Sequence, residues 1–120
     1  MPAADVFKMY LDRFSAGDIA GAAELLTDDF VFHGPMLQAE GKAAFLAGAS
    51  GLAPMVRGNE MLRQWVDGDE VCSVYDFKIE TPAGAGSITM AEWVTVRDGQ
   101  LASARLIFDT AAMAALMPAS

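Results

Sequence analysis

The chain has 120 residues, enough for one domain with its own core and too few for a second, cofactor-carrying domain. Against 16 Asp and Glu there are only 8 Lys and Arg, a net charge of −8, and no basic cluster occurs. Nucleic acid and anionic membrane surfaces, both bound by clustered cations, are therefore excluded as expected partners.

Apolar residues make up 53% of the sequence, above the usual share of roughly 45–50%. No run approaches the roughly 18 apolar residues of a membrane helix, so the excess is expected to face a pocket, a partner subunit or both. Cys72 is the single cysteine and no intrachain disulfide can form. The opening Met-Pro-Ala-Ala-Asp lacks the basic and apolar regions of a signal peptide, and a cytoplasmic location is expected.

In chain order, Val6, Met9, Tyr10, Arg13 and Phe14 fall at helical spacing and predict a helix over 3–15, ended at Gly17. Asp18 is placed to cap a second helix running through Leu26, which Thr27-Asp28-Asp29 breaks. A short strand, Phe30 to His33, closes at Gly34-Pro35, with loop from Met36 to Glu40. A third helix runs from Gly41 to about Ala49, and Ser50 to Gly58 is loop.

Four strands follow. Asn59–Val66 turns at Asp67-Gly68-Asp69 into Val71–Glu80, and Thr81 to Gly86 reads as a flexible turn. Ser87 to Asp109 is a long hairpin about Asp98-Gly99, a dipeptide whose glycine takes positive φ without steric cost. Ile88, Met90, Glu92, Val94 and Val96 share one face of its first strand. On the second strand Ala102, Ala104, Leu106 and Phe108 share one face and Leu101, Ser103, Arg105, Ile107 and Asp109 the other. Neither face is clearly polar, so both are expected to be covered. Thr110 to Met117 forms a terminal helix. Helices segregated from strands predict an α+β domain over 1–120, with helices packed on one face of a bent sheet around an apolar pocket.

The "AGD" after the first helix, "DDFVFHGP", "GKAAF" and "VRDGQLASARLIFD", in this order of elements, resemble the nuclear transport factor 2-like superfamily. More narrowly they are similar to its SnoaL-like branch, which includes polyketide cyclases, limonene epoxide hydrolase and relatives of ketosteroid isomerase. The resemblance implies a cone-shaped, cystatin-like fold: a strongly curved antiparallel sheet on three N-terminal helices. It implies a cofactor-independent acid/base enzyme of isomerase, cyclase or hydrolase type acting on a small hydrophobic carbonyl or polycyclic compound. The alternative is a non-catalytic binding or accessory module of the same fold. The Arg-x-Asp pair of the epoxide hydrolases has no match on 59–66 or 71–80. His33 stands where the isomerases carry their first-strand Asp, and Tyr10 is a loose counterpart of their Tyr donor.

By motif, the resemblance places catalytic roles on His33, at the end of the first strand, and on Asp109, after Phe108 at the end of the last. From the residues alone, a cap on the terminal helix by Asp109 or Thr110 is the favoured reading, which the resemblance brings level with catalysis, and a lone His is more often held by backbone in a core. Glu92 lies mid-strand among apolar neighbours. Counting from the turn pairs it with Arg105, the stronger reading, and a buried neutral acid donating to an oxyanion is the other. Tyr75, Glu92, Phe32, Met61, Trp65 and Phe108 are the expected substrate-binding residues. Trp65 and Trp93 are more often packing or dimer contacts than ligand stackers, and the eight methionines read as pocket lining or, at least as well, as gap-filling core. One His and one Cys, widely separated, do not make a metal site, and no cofactor is expected. The expected partners are a small hydrophobic ligand and a second copy of the chain docked through the outer sheet face.

Overall fold

The computed structural model describes residues 1–117, so residues 118–120 of the expected domain lie outside the described residues. Helix α1 (Ala3–Ser15) buries Val6, Phe7, Tyr10, Leu11 and Phe14, one stripe at three/four spacing. It ends in a Schellman pattern. Asp18 N–H donates to Arg13 O at 2.9 Å and Gly17 N–H to Phe14 O at 3.0 Å, with Gly17 at φ +78°. The Asp18 carboxylate then caps α2 (Ile19–Ala23) by accepting from Gly21 N–H at 2.9 Å.

Helix α2 is shorter than expected. Thr27-Asp28-Asp29 does not separate it from a strand but belongs to one, β1 (Leu26–His33). A register shift between Leu26 and Val31 accommodates these polar residues. Part of the expected 36–40 loop is β2 (Gln38–Glu40), paired to β1, and α3 (Lys42–Ala49) follows. β3 (Val56–Asp67) and β4 (Glu70–Thr81) are longer than their apolar runs. The expected flexible turn is tight, with Thr81 paired to Gly84, where β5 (Gly84–Arg97) begins. Thr81 Oγ1 accepts from Ala83 N–H at 3.1 Å and donates to Leu116 O, tying this turn to α4 (Thr110–Leu116).

The sheet order is β2-β1-β6-β5-β4-β3, where β6 is Gln100–Phe108. β1 and β6 are parallel and every other pair is antiparallel. The β5–β6 turn is the two-residue kind expected: Arg97 pairs with Gln100, and Asp98 and Gly99 hold φ +53° and +77°.

One expectation fails just past that turn. Val96 pairs with Leu101 but Thr95 with Ser103, leaving Ala102 as an extra residue. The bulge flips parity, so Leu101 joins Ala104 in the core, fully buried, rather than facing out with Arg105.

Helices α1 and α3 cover the inner face of the sheet. The opposite face is uncovered in the single chain: Trp65, Trp93 and Ile107 are 58%, 51% and 60% exposed. Phe14, Phe30, Phe32 and Phe45 clamp α3 to β1 and α1, with Phe30–Phe45 and Phe32–Phe45 centroids 5.2 and 4.9 Å apart. Phe30 is fully buried. Phe30→Ala is expected to cost about 3–5 kcal/mol, read as a lower urea midpoint at unchanged slope.

Candidate functional site

Tyr75 on β4 and Glu92 on β5 face inward. Tyr75 pairs with Met90 and Ser73 with Glu92, so the two are diagonal neighbours on one face. The Tyr75 hydroxyl donates to Glu92 Oε1 at 2.7 Å, with Tyr75 2% and Glu92 4% exposed. The Tyr75 ring is held by Phe7 and Phe77, centroids 6.3 and 6.4 Å away. Tyr10 of α1, also buried, completes the group.

These three side chains line one wall of a cavity of about 230 Å³ between the sheet, α1, α3 and α4. They are its only polar side chains among the described residues. The rest is apolar: Phe14, Phe32, Phe45 and Phe77 on one side, Leu106 and Phe108 of β6, Met113 and Met117 toward the C-terminus. Exposed Pro35 and Met36 mark the end nearest solvent.

Burial pushes the Glu92 carboxyl from its ordinary 4.5 up to about 7, and the Tyr75 hydrogen bond offsets only part of that. Burial, then the nearby Glu92 charge, raises the Tyr10 and Tyr75 hydroxyls well above their ordinary value, so both remain donors. The wall therefore offers a carboxyl that exchanges a proton near neutrality beside two phenols that keep theirs.

The structure separates the expected residues into two groups. Tyr75, Glu92, Phe32 and Phe108 line the cavity. His33 does not. It follows inward-facing Phe32 on β1, so strand alternation turns it outward, half-buried beside Arg105. Asp109 is exposed, and its carboxylate accepts from Ala111 N–H at 3.0 Å, capping α4. Met61 is half-buried on β3 and Trp65 exposed, and neither lines the cavity.

The Glu92–Arg105 pair is corrected. Counting from the turn without the bulge pairs these two, but the extra Ala102 moves Glu92 opposite Leu106 and Arg105 opposite exposed Trp93. Alternation groups Glu92 with Ile88, Met90, Val94 and Val96 without saying which way that face points, and the structure turns it inward. No group of three or more His, Cys, Asp or Glu able to hold a metal occurs among the described residues, and no helix among them is long and apolar enough to cross a membrane.

A curved sheet closed by helices over an apolar, acid-bearing cavity defines a pocketed α+β cone, the nuclear transport factor 2-like fold. The SnoaL-like domain matches residues 7–104, and the chain belongs to that family. No curated protein matches the sequence.

Solved structures of similar fold include a protein from Kribbella flavida, 27% identical over 92% of this chain and 90% of that one, TM-score 0.79. A candidate SnoaL-like polyketide cyclase from Jannaschia sp. CCS1 is 19% identical over 98% and 92%, TM-score 0.81. TerC, co-crystallised with polyporic acid, is 19% identical over 97% and 98%, TM-score 0.81. At that identity these two share the fold, not a demonstrated reaction.

The raised carboxyl has a thermodynamic signature. Its folded value lies above its unfolded one, so the unfolded chain releases the proton first. The contribution of Glu92 to stability is full below about pH 4.5 and is lost as pH rises through 7, about 3 kcal/mol in all. Glu92→Gln, which still accepts from Tyr75, is expected to gain on the wild type by about 2–3 kcal/mol between about pH 5 and about pH 8. Urea titrations at both pH values read this, and a constant difference would refute it. Tyr75→Phe removes the one influence that lowers the carboxyl and is expected to raise its midpoint further, followed by carboxyl-carbon NMR.

Proposed function

We propose that the cavity binds a small, largely apolar compound carrying a carbonyl and that Glu92 transfers a proton to or from the carbon beside it. The observation that carries this reading is the Glu92 carboxyl, raised to about 7 by burial beside two phenols in a largely apolar cavity. A proton-transfer group works best when it titrates near the operating pH. Tyr10 donates to the carbonyl oxygen as charge develops there, while Tyr75, whose one hydroxyl proton is given to Glu92, orients the acid. An apolar cavity of roughly 150 Å³ holds benzene, so about 230 Å³ supports a compound of one or two rings rather than a larger polycycle. The roles expected of His33 and Asp109 pass in this reading to Glu92 and Tyr75.

The reading includes a homodimer through the outer sheet face, supported by the exposure of Trp65, Trp93 and Ile107 there. A reducing, cytoplasmic setting suits the unpaired thiol of Cys72.

The test is hydrogen–deuterium exchange of one- and two-ring ketones in D₂O, followed by proton NMR. Exchange beside the carbonyl should rise through about pH 7 with wild type and fall about 100-fold or more in Glu92→Gln. Ketones that shift the Met113 methyl signal without exchanging would leave a binding module. Exchange that survives in Glu92→Gln but is lost in His33→Ala or Asp109→Asn would return the chemistry to those two residues.

A further inference from the structure

Behind the cavity, on the convex face, one row of residues crosses five strands. Trp65 pairs with Cys72, Cys72 with Trp93, Trp93 with Arg105, and Arg105 with His33. Cys72 is too short to fill the space between its two neighbours. The result is a notch of about 220 Å³ walled by Trp65 and Trp93, with Asp67 and Glu70 at its end and no cation in its lining. Glu70 Oε1 accepts from Trp93 Nε1 at 3.0 Å, which fixes that indole.

Neighbouring strands lie about 4.8 Å apart, so the two indole-bearing positions are separated by about 9.6 Å. A planar cation seated over Cys72 is then about 4.8 Å from either side, inside the roughly 6 Å reach of a cation–π contact. The two carboxylates supply the opposite charge such a cation needs when it leaves water. Arg105, on the far side of Trp93, is exposed and enters no ion pair among the described residues.

We propose that the convex face docks a second copy of this chain about a two-fold axis running along the strands over Trp93, with Arg105 of each copy seated in the Trp65–Trp93 notch of the other. The inference rests on the homodimer reading above and adds its register. Arg105 and Cys72 lie one strand to either side of Trp93, so rotation about that axis lays each Arg105 over the other copy's Cys72. The same rotation stacks Trp93 against Trp93 and lays His33 over Trp65. Such an interface is isologous, each contact made twice. In the next row Val74, Ala91 and exposed Ile107 extend the apolar contact, and Asp76 and Thr89, hydrogen-bonded at 2.6 Å, lie beyond them as a polar margin. An apolar centre with a polar rim is the usual anatomy of a specific interface.

Sedimentation equilibrium on the full chain tests this, with far-UV circular dichroism to confirm that each variant folds. Wild type should be a dimer at micromolar concentration. Arg105→Glu and Glu70→Arg should each weaken dimerisation about tenfold or more, and Trp93→Ala by at least as much. Combining Arg105→Glu with Glu70→Arg should recover a large part of the loss, which a merely structural role for either residue would not do. A wild-type monomer at every concentration would overturn both the dimer and the notch. A dimer indifferent to Arg105→Glu and Glu70→Arg would overturn the notch alone and leave the dimer standing on another contact.

Discussion

One unpaired residue, Ala102, decides which side chains of the last strand reach the interior. Without it, Leu101 and Arg105 would share a face and Glu92 would sit beside a guanidinium. With it, Leu101, Ala104, Leu106 and Phe108 all turn inward and Arg105 turns out. A bulge also increases local twist and bends the strand that carries it. The register shifts in β3 and between β1 and β6 act on the same sheet, and the curved sheet leaves space beneath the helices.

The carboxyl on that inner face is costly by construction. Among the described residues Glu92 receives one hydrogen bond and pairs with no cation, so burial dominates and raises it to about 7. A chain selected for stability alone would fill the position with an apolar residue. Its place among Met90, Val94 and the aromatic rings is what makes it the candidate for chemistry in the cavity. Tyr75 serves both ends of this arrangement. Its ring packs between Phe7 and Phe77 while its hydroxyl orients the acid.

The two faces of the sheet divide the work. The inner face meets α1, α3 and α4 and encloses the cavity, whereas the convex face carries two indoles, the Arg105 guanidinium and a pair of carboxylates on a surface that no element among the described residues covers. The row that sets the notch passes one strand position from the row that sets the acid, since Trp93 follows Glu92 along β5.

Much of this was legible in the chain itself. The period of α1, the Gly17 stop, the Asp98-Gly99 turn and the alternation of Ile88 to Val96 are local, because each is set by backbone sterics or by the side chains of near neighbours. So was the family, carried by short motifs along most of the length. What the sequence could not state was pairing across strands. The strand character of Thr27 to Asp29 depends on β6, far along the chain, while the bulge at Ala102 and the second strand at Gln38 depend on which residues pair across short hairpins. His33 and Asp109 stand at motif positions, yet one is turned outward by alternation behind Phe32 and the other holds the first turn of α4. Only the tertiary structure, by choosing the register of β6, turned Arg105 away from Glu92 and Leu101 into the core, because a one-residue offset exchanges the faces of a strand while leaving its composition unchanged.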